Sequence, residues 1–188
     1  REYRNGAFRI SALFSAQIAS NLILDSISSI PYTIAYPIVG LGGSAGQFFI
    51  FLATLILITA FGSALGLTLG TLSKDVKEAQ SYMIPIVMPL LLFCGFLIPY
   101  SEIPNYFIWL FWLSPFQWAF SILLINEFKP RTFTNGPPDT GLEYLASQNL
   151  YPDDMGRNFG VLISIVAFIY LVGFTFVSRA IKRQARET

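Results

Sequence analysis

GFLIPYSEIPNYFIWLFWLSPFQWAFSILLINEF, residues 95 to 128, is too apolar for a surface loop and too broken for one membrane-crossing helix. Pro99, Pro104 and Pro115 divide it into pieces of about 10 to 13 residues, whereas a helix needs about 20 to cross a bilayer. Ser114, Pro115 and Gln117 supply a helix start, with Ser as N-cap, Pro at the first helical position and Gln at the third. All three tryptophans, Trp109, Trp112 and Trp118, fall here, where a membrane interface collects aromatic rings. The pattern predicts two short helices dipping into one leaflet.

Outward from this stretch the chain is apolar enough to supply the rest of a membrane domain. Of its 188 residues 54% are hydrophobic and only 12% charged, and its mean hydropathy is +0.57, against about 25% charged in a soluble domain. Residues 22–41, 47–72, 82–98 and 159–178 each read as a membrane span. Pro31 and Pro37 in the first and Pro85 and Pro89 in the third predict kinks, which membrane helices tolerate when neighbours satisfy the freed backbone groups. The fold class expected is all-α: a polytopic transmembrane domain of four spanning helices with short re-entrant or interfacial helices. Residues 1–21 then form an amphipathic cytoplasmic helix, 99–158 the re-entrant helices and an external loop, and 179–188 a basic tail.

Charge placement sets the orientation. Arg1, Arg4, Arg9, Lys74, Lys77, Arg179, Lys182, Arg183 and Arg186 all fall on one side if the spans alternate. The other side receives Lys129, Arg131 and Arg157 together with Glu102, Glu127, Asp139, Glu143, Asp153 and Asp154. The positive-inside rule puts both ends in the cytoplasm and the long segment before the last span outside. In that segment residues 135–139, NGPPD, predict turns, and Thr140 with Glu143 has capping-box spacing for a short helix over residues 141–148. No N-glycosylation sequon occurs.

Several functions are excluded by what the chain lacks. It has no His, and its one cysteine, Cys94, forms no intrachain disulfide and no cysteine metal site. The commonest general base and the commonest transition-metal ligand are thus missing, so no catalytic residue and no metal site are predicted. No phosphate-binding loop is present, since Gly40, Gly42, Gly43 and Ser44 form a short turn without a lysine. Energy for transport must enter through another segment or subunit. Nucleic acid is not an expected partner. The chain starts without Met and without a signal pattern, and reads as a piece of something longer.

Three features leave alternatives open. Gly62, Gly66 and Gly70 recur every four residues, the small-residue spacing of close helix approach; the approach is either to another span of this chain or to a second subunit. Asp25, the one acid within an expected span, either pairs with Lys74 or Lys77, bonds locally with Ser26, Ser28 and Ser29, or couples transport to protons. In the first twenty residues Phe8, Ile10, Leu13, Phe14 and Ile18 alternate with Arg4, Arg9, Ser11 and Gln17, which suits a helix lying on the membrane or docking on a cytoplasmic partner.

Residues 2–14 (EYRNGAFRISALF), the run Gly95-Phe96-Leu97-Ile98 followed by Ile103-Pro104, and residues 109–128 ending in Asn126-Glu127-Phe128 resemble the G-subfamily ABC transporters of the White and pleiotropic drug resistance type. The resemblance extends in order along essentially the whole chain. It implies the later part of the transmembrane domain of a dimeric, ATP-driven exporter of lipids, sterols or hydrophobic xenobiotics in the plasma membrane. It implies as partners membrane lipid, a hydrophobic small-molecule substrate, a second transmembrane domain and a nucleotide-binding domain. ATP and Mg would enter through that domain, this chain holding no cofactor itself.

By the same resemblance residues 1–21 correspond to the coupling helix that meets the nucleotide-binding domain, with Glu2, Arg9 and Phe14 on it. Val87, Met88 and Leu91 would line the substrate cavity at the dimer axis, and Phe96 and Leu97 would form the plug above it. Two spans and the nucleotide-binding domain are expected before Arg1. The external loop lacks the cysteines of many relatives, which excludes covalent closure there, and Phe8 and Leu13 stand where tyrosines are common. A non-transporting membrane scaffold, an ion-coupled carrier using Asp25, and the permease of a bacterial ABC exporter are the rival readings.

Overall fold

A computed structural model describes residues 10–41, 43–132 and 140–184. The amphipathic start and the first span form one helix, α1 (Ile10–Ile38). Nothing between residues 18 and 25 breaks it: there is no Gly or Pro, and Gln17 Nε2 donates to Asn21 Oδ1 at 3.0 Å across the expected boundary. The change from amphipathic to apolar is a change of surroundings along one rod. Glu2 and Arg9 lie outside the described residues, as do residues 133–139 of the external loop and the last four of the basic tail.

Helix α2 (Ala45–Leu72) is apolar on every side and occupies the centre of the bundle, as such a helix must to bury its surface. Its start is a capping box: Ser44 Oγ accepts from the Gln47 N–H at 3.3 Å, and Gln47 Oε1 accepts from the Ser44 N–H at 3.0 Å. Ala60, Phe61, Leu65 and Leu69 pack there with Leu90 of α3 (Val76–Leu92) and Val166 of α7 (Met155–Gln184). Nearer the other end, Leu162 joins Trp118, Ala119 and Ile122 of α5 (Pro115–Phe128).

Two helical stretches, Ala45–Leu72 and Pro152–Arg179, are long and apolar enough to cross a membrane. A third qualifies if Asn105–Leu113 and Pro115–Phe128, bent by 72°, count as one broken span. The other two of the four expected spans fall short by length or composition, for readable reasons. In α1 the serines and Asp25 dilute the apolar run, although Ser26, Ser28, Ser29 and Thr33 satisfy their hydroxyls on the carbonyls four residues back. Helix α3 has 17 residues and stops at Leu92 rather than continuing to Ile98, because Gly95, at φ +87°, turns the chain out of the helix.

The broken segment folds as two helices bent by 72° about Ser114. Helix α4 (Ile108–Leu113) ends where Ser114 caps α5, its Oγ accepting from the Gln117 N–H while donating to the Leu90 carbonyl at 2.7 Å. One hydroxyl thus starts α5 and ties it to the end of α3. Helix α6 (Gly141–Ser147) begins at Thr140, whose side chain accepts from the Glu143 N–H.

Among the described residues the glycine stripe of α2 mediates no close approach. A Cβ at Gly62 or Gly70 would meet nothing within 4 Å, and one at Gly66 only Met83 Cε at 3.9 Å. The tight α2–α7 contact lies at Gly173, where a Cβ would stand 2.8 Å from Thr68 Oγ1.

Candidate functional site

Helix α3 presents two faces, and the three residues expected to line a cavity divide between them. Val87 turns inward against the Phe61–Leu65–Leu90 cluster. Met88, 54% exposed, and Leu91 face outward, in register with Ile84 at the spacing of one helical face. Beyond the turn at Gly95 the exposed apolar surface continues in Phe96 and Leu97. Phe96 is 68% exposed although its ring edge meets Phe120 of α5, centroids 5.5 Å apart. Among the described residues Met88, Leu91, Phe96 and Leu97 are thus exposed, while Val87 packs against the core.

Of the residues assigned to the coupling helix, Phe14 is buried, its ring edge-on to Phe174 of α7 at 5.1 Å. The same ring reaches within 4.0 Å of the position a Cβ would take at Gly173. The N-terminal end of α1 is thereby fixed to the C-terminal half of α7, beside the tight Gly173–Thr68 contact.

At the opposite end of α1 lies a polar cluster whose membership no sequence spacing announces. Tyr36 donates its hydroxyl to Glu127 Oε2 at 2.7 Å, across 91 residues of chain. Arg131, one turn beyond Glu127, pairs with its other carboxylate oxygen and also donates to the Gly40 carbonyl at 3.2 Å. Asn126 Nδ2 donates to the Gln47 carbonyl at 3.0 Å and to Tyr36 Oη at 3.3 Å, and Gln47 Nε2 donates back to the Asn126 carbonyl at 2.7 Å. Tyr36 stacks on Phe51 at 4.2 Å. Glu127 is thus the acceptor on which α1, α5 and the turn before α2 converge.

Asp25 pairs with neither lysine, and the neighbouring serines bond backbone carbonyls instead. Its Oδ1 accepts from Ser63 of α2 at 2.8 Å, while its Oδ2 and the Tyr170 hydroxyl of α7 are sealed off without a hydrogen-bond partner. A carboxylate among three helices is accommodated by a hydroxyl of α2 rather than by a cation.

The sequence that builds these elements is similar to that of known proteins. Residues 1–128 match the family described as ABC-2 type transporter. The chain belongs to that family. It is 30% identical over 94% of its length to ABC transporter G family member 24 of Dictyostelium discoideum, and 29% identical over 98% to Protein white of Ceratitis capitata. Pleiotropic drug resistance protein 1 of Petunia axillaris matches 75% of the chain at 24% identity. These alignments cover 16%, 29% and 10% of the respective relatives, so the chain spans less than a third of their length. The chain is an ABCG-type transmembrane domain, an integral membrane part of an ABC transporter.

Proposed function

We propose that this domain forms half of the translocation path of an ATP-driven exporter of lipids, sterols or other hydrophobic molecules, working by alternating access. The observation that carries the reading is the exposure of the apolar side chains of Ile84, Met88, Leu91, Phe96 and Leu97, which a second transmembrane domain would cover to enclose a cavity. Residues 87, 88 and 91 line or back that cavity, and Phe96 and Leu97 plug its outer end. A nucleotide-binding domain, which brings ATP and Mg, meets the start of α1 near Glu2, Arg9 and Phe14. Helix α1 is continuous from Ile10 to Ile38, with Pro31 and Pro37 inside it, so a tilt imposed at its start is carried along one helix toward Tyr36.

The basic residues at both ends place those ends in the cytoplasm, and the membrane is the plasma membrane. The name of the Petunia relative favours drug-like substrates alongside lipids. Phe96→Ala combined with Leu97→Ala in the complete transporter is expected to lower transport several-fold while ATP hydrolysis continues, because substrate slips back past a shortened plug. Transport by proteoliposomes, measured beside ATPase activity, tests this; equal transport in wild type and variant removes the plug assignment. A scaffold that moves nothing would show no substrate-stimulated ATPase activity in either.

A further inference from the structure

A groove of about 770 Å³ is lined by α2, α3 and α7, with Leu113 and Pro115 at the α4–α5 break. Its walls are apolar: Phe61 and Leu65 from α2, Leu90 from α3, Ile165 and Phe168 from α7. Ser164, the polar residue of the wall, closes its hydroxyl on the Gly160 carbonyl at 2.7 Å and offers no donor to the groove. The one charge is Arg157, at the end where α7 begins. Its side chain is 61% exposed and pairs with Asp154 at 3.1 Å, which leaves guanidinium donors for a second acceptor.

We infer that this groove binds a zwitterionic phospholipid of the leaflet at the Arg157 end, one acyl chain lying along α7 and the phosphate seated on Arg157. Length supports it. From Arg157 to Ile169 the helix rises roughly 18 Å at about 1.5 Å per residue, close to one leaflet of a hydrocarbon core about 30 Å thick. Charge supports it as well. The phosphate meets a guanidinium, the geometry at which Arg binds oxyanions best, and the exposed Asp153, with the half-buried Asp154 that pairs with Arg157, lies in the turn before α7 to receive the ammonium. Gly160 leaves the groove open at the level of the glycerol backbone, since a Cβ there would meet nothing within 4 Å. The inference rests on the proposed orientation only in naming that leaflet the outer one.

The test uses the complete transporter in nanodiscs of phosphatidylcholine doped with phosphatidylcholine carrying a photoreactive diazirine on one acyl chain. Lipid reaches both faces of the disc, so the result does not depend on orientation or on transport. Illumination is expected to place adducts on residues 160–169 of α7 and 86–90 of α3. Gly160→Trp, which fills open space, and Arg157→Gln are each expected to reduce those adducts several-fold. Unchanged labelling in Gly160→Trp overturns the site. Labelling by a diazirine sterol that competes fully and ignores Arg157→Gln overturns the phosphate recognition. Gly160→Cys supplies a check independent of labelling yield: reaction with a bilayer-soluble maleimide supports a lipid-filled groove, and protection shows that protein covers it and overturns the inference.

Discussion

Gly141→Ala is expected to strip α6 from the end of α5 and to leave a transporter that is poorly folded in detergent. A Cβ at Gly141 would stand 1.7 Å from the Phe128 carbonyl oxygen, 2.7 Å from its carbon and 3.1 Å from the Arg131 oxygen. All three are backbone atoms, so no rotamer change relieves the overlap. The main chain cannot retreat either, because the Gly141 N–H donates to Arg131 at 2.8 Å and Thr132 bridges Thr140. Overpacking costs about 1–3 kcal/mol where side chains can yield, and the upper end applies here. The displaced contacts include Leu145, which is wholly buried, and Tyr144, whose ring lies 4.6 Å from that of Phe128. Thermal unfolding followed by size-exclusion chromatography is expected to show a midpoint several degrees lower. Gly62→Ala and Gly70→Ala, with nothing near the added carbon, serve as controls and are expected to unfold like the wild type.

The contrast between Gly141 and the α2 stripe marks the limit of what spacing conveys. Residues 62, 66 and 70 share a helix face, and the sequence says so, but it does not say what stands opposite. In the fold that face has no close neighbour within the chain, while the glycine that does admit close approach, Gly173, belongs to no stripe. Caps were legible because they act over three residues: Ser114 with Gln117 and Thr140 with Glu143 form as their spacing predicts. Hydropathy alone extended α3 to Ile98, since Cys94, Phe96 and Leu97 are as apolar as the helix before them. Only the backbone at Gly95 shows the turn. A count of apolar residues likewise could not divide Val87 from Met88, which are adjacent in sequence although one packs on the core and the other is exposed. The Tyr36–Glu127 bond was out of reach, because its partners lie 91 residues apart and neither has an unusual neighbour.

That bond carries the second large effect. Glu127→Ala removes the acceptor of the Tyr36 hydroxyl and the partner of Arg131 together. Hydrogen bonds to a charged group contribute about 1.5–3 kcal/mol each, and the Arg131 share is discounted because its side chain is 39% exposed. A loss of about 3 kcal/mol is expected, read from reversible unfolding in mixed micelles. Glu127→Gln should fall between this variant and wild type, since an amide oxygen still accepts from Tyr36 but holds no charge for Arg131. Tyr36→Phe should cost about 1.5 kcal/mol, the lower end of that range, because Asn126 keeps its bond to the Gln47 carbonyl. Combined, Glu127→Ala and Tyr36→Phe are expected to cost less than their sum by about 1 kcal/mol, as residues in direct contact do. Strict additivity would mean that Tyr36 and Glu127 do not hold each other. Helix α1 would then be tied at this end mainly through α2, and a tilt begun near Phe14 would reach α5 only through that central helix.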